Sequence, residues 1–136
     1  MIIDSSVLIS ILLGQPETVA FSKAIAADPK RLVSVFSVLE TSIVIEAKKG
    51  EAGGRELDLL LHRAQIQPVD LSKEQMELAR LAWRKYGKGH HPAGLTIGNC
   101  CSYALSKYSG EPILFKGEAF MKADVESVRV PEDRSL

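Results

Sequence analysis

The sequence predicts an α/β fold in which helices cover both faces of a short, mainly parallel β-sheet. Short apolar segments with the length of strands alternate with longer amphipathic segments along the 136 residues. The composition, with 46% hydrophobic and 25% charged residues, is typical of an ordinary globular domain. The chain is long enough for one hydrophobic core and short for two, so we expect a single domain over residues 1–130 and a frayed tail over residues 131–136.

Charge, cysteine content and hydropathy exclude several classes of protein. Seventeen basic residues balance seventeen acidic ones, which excludes a polycation that binds nucleic acid through bulk charge, so any such contact must be local. Cys100 and Cys101 are adjacent and poorly placed to bridge each other, which excludes a disulfide framework and favours a reducing cytoplasm. No apolar run reaches the roughly 18 residues of a membrane-spanning helix, so no membrane partner is expected.

The first third of the chain predicts two strands and two helices. The chain opens with a short apolar strand, and Asp4 with the two serines after it supplies N-cap chemistry for a helix over residues 7–13. Pro16 begins a second helix that ends shortly before Pro29. Residues 32–35 give the second strand.

A helix that begins at Ser37 and ends at Gly50 places Glu40 among apolar side chains. Glu40 shares one helical face with four apolar residues, Phe36, Ile43, Val44 and Ala47. We expect this helix to be mostly buried, and a carboxylate on its apolar face needs a metal ion or hydrogen-bond donors. The structural alternative is that Glu40 only pairs with Ser37 in a capping box.

The remaining sequence continues the alternation of helices and strands. An amphipathic helix marked by Leu57 and Leu61 precedes a strand, and Ser72 with Gln75 forms a capping box for a long helix that Gly87 stops. A loop rich in Gly and His follows. The predicted strands of this half cover residues 66–69, 113–115 and 125–130, and its last helix covers residues 97–108.

Four polar residues are candidates for chemistry. In open parallel sheets, ligands bind beyond the carboxyl ends of the strands, which selects Asp4 and Glu118 because each follows a predicted strand. Glu40 and Asn99 lie on helices. Besides the capping role of Glu40, the structural alternatives are Asp4 as a helix N-cap, Asn99 as a first-turn residue that bonds to its own helix end, and Glu118 as a solvated loop acid.

A basic cluster spans the end of the long helix and the loop after it. Its members are Arg80, Arg84, Lys85, Lys88, His90 and His91. The cluster is either a track for an RNA backbone or a solvated helix face whose charge suits the negative end of the helix. Trp83 and Tyr86 are expected in the core rather than in base stacking.

Several segments taken together resemble the PIN-domain ribonucleases of the VapC toxin branch. They are MIIDSSVL, LETSIVIEAKKG, GGRELDLLL, YGKGHHPAGLTIGNCCSYALSK and GEPILFKGEAF, and the likeness runs from Met1 to about Val130. The resemblance implies a PIN-like three-layer α/β/α fold and a Mg²⁺-dependent endoribonuclease toxin of a type II toxin–antitoxin system, with Mn²⁺ as an alternative ion. It also implies an RNA substrate, a cognate antitoxin, a homodimer and a cytoplasmic location.

The resemblance assigns the acids by position and shows two departures from the family pattern. Asp4 and Glu40 match family acids. Asn99 stands where the family has Asp, and Ala119 stands where it has an acid before Phe. An amide lacks the charge of a carboxylate and cannot act as a base, so these departures predict an activity that is weakened or abolished. The implied metal ligands are Asp4, Glu40 and Asn99, and the implied catalytic residues are these three with Glu118.

The acid that is missing at Ala119 has two potential replacements. Glu118 lies one place earlier, and Asp124 matches a further family acid a few residues beyond. The sequence leaves this choice open. The residues expected to position the RNA backbone are Lys88, Arg84, His91 and Lys116.

Two other functions are consistent with the same residues. In the first, the chain is a catalytically inactive PIN-fold module that binds antitoxin or RNA. In the second, it is a small interaction domain whose acids are helix caps and whose apolar helices form a dimer face. A metal site gains thermal stability as the ion is added, whereas the interaction domain predicts no specific ion effect.

Overall fold

The computed structural model describes residues 1–128 and residue 130. Within them, four strands form one sheet in the order β3-β2-β1-β4, and every strand pair is parallel. The strands are β1 (Ile2–Ile3), β2 (Leu32–Ser34), β3 (Gln67–Val69) and β4 (Ile113–Leu114). The predicted parallel sheet is therefore confirmed, with β1 and β2 in its centre.

Helices pack on both faces of this sheet, which confirms the predicted three-layer α/β class. Successive strand residues point to opposite faces, so Ile3 belongs to one buried cluster and Ile2 to the other. The helices are α1 (Ser5–Leu12), α2 (Thr18–Ala27), α3 (Val35–Lys49), α4 (Glu51–Arg63), α5 (Lys73–Tyr86) and α6 (Ile97–Ser109), followed by a 3-10 turn (Ala119–Lys122). The cluster with Ile3 includes residues of α1, α2 and α4, and the cluster with Ile2 includes residues of α5 and α6.

Helix α3 differs from its prediction in its start and in its buried face. Its N-cap is Ser34, whose hydroxyl accepts from the Phe36 N–H at 3.3 Å, so Ser37 lies inside the helix and is not the capping partner of Glu40. The predicted burial of the apolar face was wrong, because Ile43 is 62% exposed. The face with Ser37, Thr41 and Ile45 is buried instead, and α6 approaches it closely enough to bring Ser37 Oγ within 3.5 Å of Ser102 Oγ.

The start of α2 and the cap of α5 also differ from their predictions. Helix α2 begins at Thr18 rather than at Pro16. Ser72 caps α5 as predicted, but the Gln75 side chain donates to the Asp70 carbonyl instead of completing the box.

The predicted strand over residues 125–130 is reduced to one bridge among its described residues. Ser127 pairs in parallel with Ile113, the first residue of β4. Residue 129 and the predicted tail over residues 131–136 lie outside the described part of the chain. In the described part, no helix has the length and apolarity needed to cross a membrane.

Candidate active site

Asp4 lies at the carboxyl end of the central strand β1 and begins α1 as its N-cap. Its side chain is fully buried. Three groups donate to its carboxylate: the Ser6 N–H to Oδ2 at 3.1 Å, the Ser102 hydroxyl to Oδ1 at 2.7 Å, and the Asn99 amide to Oδ2 and Oδ1 at 3.4 and 3.5 Å. Asp4 is thus a helix N-cap, as the structural alternative has it, and also a buried acid at the end of a strand.

Glu40 reaches the same region from α3 and is half-buried. The Ser5 hydroxyl donates to its Oε1 at 2.5 Å, and Ser5 directly follows Asp4. The carboxylate also lies against the first turn of α6, where a Cβ on Gly98 would stand only 2.3 Å from Oε1. Glycine at this position therefore makes room for Glu40, and the positive end of the α6 dipole favours its charge.

Asn99 lies in the first turn of α6 and contacts Asp4 from there. Its backbone N–H donates to Thr96 Oγ1, and its Oδ1 accepts from the Thr96 N–H, both at 3.1 Å, so the two residues form a capping box. Its Nδ2 points to Asp4. The oxygen of Asn99 therefore bonds to its own helix end, as the structural alternative predicts, while its nitrogen contacts the candidate acid Asp4.

Glu118 and Asp124 lie apart from this group. Glu118 is exposed and precedes the 3-10 turn. Among the described residues, no three His, Cys, Asp or Glu side chains are close enough to hold a metal ion, so Glu118 does not complete such a group with Asp4 and Glu40 here. Asp124 accepts hydrogen bonds from Tyr103 at 2.6 Å and Tyr86 at 3.1 Å.

Hydrogen bonds and an ion pair hold Asp124, and with it the C-terminal segment of residues 123–128, against α5 and α6. Lys107 Nζ lies 3.3 Å from Asp124 Oδ2 and also donates to the Asp124 carbonyl. Burial acts to raise the pKa of Asp124, but hydrogen bonds from Tyr103, Tyr86 and Lys107 outweigh it and hold the pKa below its ordinary value. Burial and the bond to Asp124 raise the pKa of Tyr103, so this hydroxyl remains a donor at neutral pH.

The two cysteines border the site without adding a ligand to it. Both are buried and free. Burial raises the pKa of each thiol to about 11, and the neighbouring Glu40 carboxylate adds to the rise at Cys101. Both thiols are therefore protonated at neutral pH, and the oxygen atoms of Asp4 and Glu40 are the available anionic ligands.

The basic candidates differ in their exposure and in the groups they contact. Arg84 and Lys88 are exposed at the end of α5 and in the loop after it. His91 is held within that loop, where its Nδ1 accepts from the Ala93 N–H at 3.0 Å. The Lys116 N–H donates to Ser6 Oγ at 3.0 Å, and its ammonium lies 3.3 Å from Glu17 Oε2.

Sequence analysis missed the residues that hold the acids in place. Ser102 lies three residues after Asn99 and therefore on the same side of α6, which is a signal that helical spacing offers. Ser5 and Gly98 adjoin predicted site residues, but their contacts with Glu40 join segments distant in the sequence.

Comparison with known proteins places these features in a family. The PIN domain model matches residues 1–126. Ribonuclease VapC of Mycolicibacterium smegmatis is 55% identical over 128 residues, covering 94% of this chain and 99% of that protein. Ribonuclease VapC30 of Mycobacterium tuberculosis is 51% identical over 131 residues, covering 96% of this chain and 100% of that protein.

A solved structure gives independent support for the fold. The crystal structure of Mycobacterium tuberculosis VapC20, described as a sarcin-ricin loop cleaving toxin, matches with a TM-score of 0.76. The match covers 94% of this chain and 98% of that one at 13% sequence identity. At that identity the likeness concerns the fold alone.

Proposed function

The chain belongs to the VapC-type branch of the PIN-domain family, and on that premise we propose that it is an endoribonuclease toxin that hydrolyses RNA phosphodiester bonds. The observation that supports this proposal is that two carboxylates lie near the carboxyl end of β1: Asp4 follows the strand, and Glu40 accepts a hydrogen bond from Ser5, the next residue. Neutral donors, the hydroxyls of Ser102 and Ser5, fix both carboxylates. The family model spans residues 1–126, and we propose one domain that extends to about residue 130 and acts in the cytoplasm.

We propose that Asp4 and Glu40 hold a divalent cation, Mg²⁺ or Mn²⁺. Carboxylate oxygens are the ligands that such hard cations prefer, and Mg²⁺ commonly uses only one or two of them. When bound, the ion supplies positive charge to the phosphodiester oxygens. Ser102 and the Ser6 N–H keep the Asp4 carboxylate in one orientation, and Ser5 does the same for Glu40.

We propose further that Asn99 and Ala119 weaken or abolish the activity of this chain. The Asn99 amide has no charge to offer a cation and cannot take a proton from an attacking water. Its oxygen is engaged with the Thr96 N–H. Ala119 carries no ligand, and the exposed Glu118 beside it is a candidate replacement that would have to turn toward the site.

RNA contacts in this proposal come from Arg84, Lys88, His91 and Lys116. Arg84 and Lys88 have exposed cationic side chains. The backbone N–H of Lys116 donates to Ser6, two residues after Asp4, and this bond supports a contact from this lysine. Contacts of this kind bind phosphate without sequence preference and weaken with salt.

We propose a homodimer and a cognate antitoxin as the protein partners. Apolar side chains on α3 are exposed, including Leu39 and Ile43. An open apolar groove of 370 Å³ lies between α3, α5 and the start of α6, with Phe36, Met76 and Ile97 in its wall. Exposed apolar surface of this kind is typical of protein interfaces.

A second candidate function is an inactive PIN-fold module that binds antitoxin or RNA. The observation that favours it is the nitrogen of Asn99, rather than an oxygen, facing Asp4. Both candidates use the same fold and the same surfaces. They differ only in whether metal-dependent cleavage occurs.

The test is cleavage of a mixed RNA pool with Mg²⁺, with Mn²⁺ or with chelator. The proteins are the chain as it stands, its Asn99→Asp variant and the Asn99→Asp, Ala119→Asp double variant. We expect metal-dependent cleavage that increases along this series, because each change restores an acid at a position where the family has one.

A triple variant that adds Asp4→Asn to the double variant is the matched control, and it should be inactive. If no form cleaves RNA, and circular dichroism shows that each is folded, the result would favour the binding module. Cleavage that persists in chelator, or after loss of both Asp4 and Glu40, would refute the proposed metal site.

A further inference from the structure

Both oxygens of the buried Asp4 carboxylate accept hydrogen bonds from the protein itself. Among the described side chains, Gln75 Oε1 is the one buried nitrogen or oxygen atom without a partner, and it lies outside the site. An isolated carboxylate without donors or a cation is costly to bury. The donors around Asp4 therefore stabilise the site when no ion is bound.

The orientation of the Asn99 amide follows from its neighbours. The Thr96 N–H is a donor, so the Asn99 atom that faces it must be the oxygen. The nitrogen then faces the Asp4 carboxylate. A turned amide would place nitrogen against the Thr96 N–H and oxygen against Asp4, which are two unfavourable pairs.

We propose that Asn99 is an internal substitute for the cation: its amide stabilises the ion-free site by donating to Asp4 and must move before an ion binds there. This inference rests on the cation site of the proposed function. The Asn99 bonds, at 3.4 and 3.5 Å, are long, whereas the Ser102 bond is 2.7 Å and buried. Asn99 is therefore the displaceable donor, and Ser102 is the positioning residue that keeps Asp4 oriented in both states.

An aspartate at position 99 would destabilise the ion-free site and favour binding of an ion, the reverse of the effect of the Asn99 amide. One of its oxygens can still accept from the Thr96 N–H, so the capping box is kept. The other oxygen replaces the amide nitrogen and faces Asp4, which sets two acceptors of like charge against each other. Such a site is less stable without an ion and gains more from binding one.

The experiment measures thermal unfolding in chelator and during titration with Mn²⁺ and with Mg²⁺. In chelator, we expect Asn99→Asp to melt at least about 4 °C below the chain as it stands. Added Mn²⁺ should raise the melting temperature of Asn99→Asp by mass action, with half-saturation at an ion concentration on the order of tenfold lower than for the chain as it stands.

The Asp4→Asn, Asn99→Asp double variant is the matched control because it exchanges the amide and the carboxylate. The pair at positions 4 and 99 again holds one negative charge, so this variant should recover much of the melting temperature lost in chelator and lose most of the ion-dependent gain. Asn99→Ala is a second test, since removal of the amide should also strengthen the response to Mn²⁺.

Two results would overturn the inference. One is equal melting temperatures for the chain and Asn99→Asp in chelator. The other is an ion response of the chain as strong as that of both position-99 variants. Neither depends on RNA cleavage, so absence of cleavage in every form, including the variants with restored acids, would count against the proposed function and leave this measurement intact.

Discussion

Two aspartates, Asp4 and Asp124, are held in similar ways at opposite ends of the chain, and they differ in what neutralises their charge. Each accepts a short hydrogen bond from a hydroxyl of α6, from Ser102 at 2.7 Å and from Tyr103 at 2.6 Å. Asp124 is 53% exposed and pairs with the Lys107 ammonium. Asp4 is fully buried, and its bonds within the described part of the chain all come from uncharged groups.

This difference separates a structural acid from a candidate ligand. The charge of Asp124 is compensated by a cation of the same chain, so its role is complete in the folded protein. Hydrogen bonds orient Asp4 but leave its charge to attract a cation from outside. Asp124 matches a family acid by position, and this comparison gives a reason why it lies outside the candidate site.

The largest expected effect is on RNA cleavage, and it sharpens this contrast. In the Asn99→Asp, Ala119→Asp background, Asp4→Asn should lower the cleavage rate at least about 100-fold, or about 2.7 kcal/mol of transition-state stabilisation. Asp124→Asn in the same background should leave the rate within about threefold, because it lies in another cluster. Initial rates on one RNA substrate at saturating Mn²⁺ measure both.

Asp124→Asn is itself the matched control, since both changes replace a carboxylate with an amide of the same size. Circular dichroism checks that each variant is folded at the assay temperature. Equal loss of activity in the two variants would contradict the distinction between a ligand and a structural acid.

A smaller effect is expected from Gly98→Ala. The new Cβ would lie 2.3 Å from Glu40 Oε1 and 2.7 Å from Oε2, so the carboxylate has to leave its place. Glu40 is flexible at its end and Ala favours helix, so the free energy of unfolding should change by no more than about 1 kcal/mol. Cleavage in the background with restored acids should fall by about tenfold.

Gly54→Ala is the control for this change. Gly54 is also helical, and its Cβ would approach the carboxylate of Glu46 at 3.1 Å, but this carboxylate bonds to Ser42 rather than to a site residue. Its cleavage rate should be unchanged. A Gly98→Ala protein with full activity would show that the observed place of Glu40 is not needed.

The sequence was sufficient to predict the layers of the fold but not the face of α3 that is buried. Alternating short and long apolar segments predicted the parallel sheet correctly. On α3 the apolar spacing around Ile43 is real, yet that face is exposed. Hydrophobic periodicity marks a face that avoids water, and it does not distinguish packing inside one chain from packing against another.

The site shows a similar limit. Strand ends, helical position and the family motifs make Asp4, Glu40 and Asn99 candidates, and their role in the site stays a prediction. The bond between Ser102 and Asp4 spans 98 residues, and the bond between Ser5 and Glu40 spans 35. Helical spacing offers a signal for Ser102, but local sequence patterns do not pair residues so far apart, so the bonds of the orienting residues and of Asp124 required the structure.

The smallest expected effect is a pH dependence of stability that belongs to Asp124. Burial acts to raise its pKa, but the bonds from Tyr103, Tyr86 and Lys107 hold the pKa below the ordinary value of 3.8. A carboxyl whose pKa is lower in the folded state stabilises the protein above its unfolded pKa, and this stabilisation is lost as the pH falls through the folded pKa. Because the carboxylate is 53% exposed and screened by solvent, the contribution should not exceed about 1 kcal/mol.

Urea unfolding of the chain and of Asp124→Asn from pH 7 to pH 3 measures this contribution. The stability difference between the two should be constant from pH 7 to about pH 5 and should shrink toward pH 3, as Asp124 takes up a proton and its bond with Lys107 loses its charge. High salt should reduce the difference at pH 7, since it screens exposed pairs. A difference that persists unchanged at pH 3 would mean that packing of the side chain, rather than its charge, holds the C-terminal segment, and the contrast with Asp4 would then rest on burial alone.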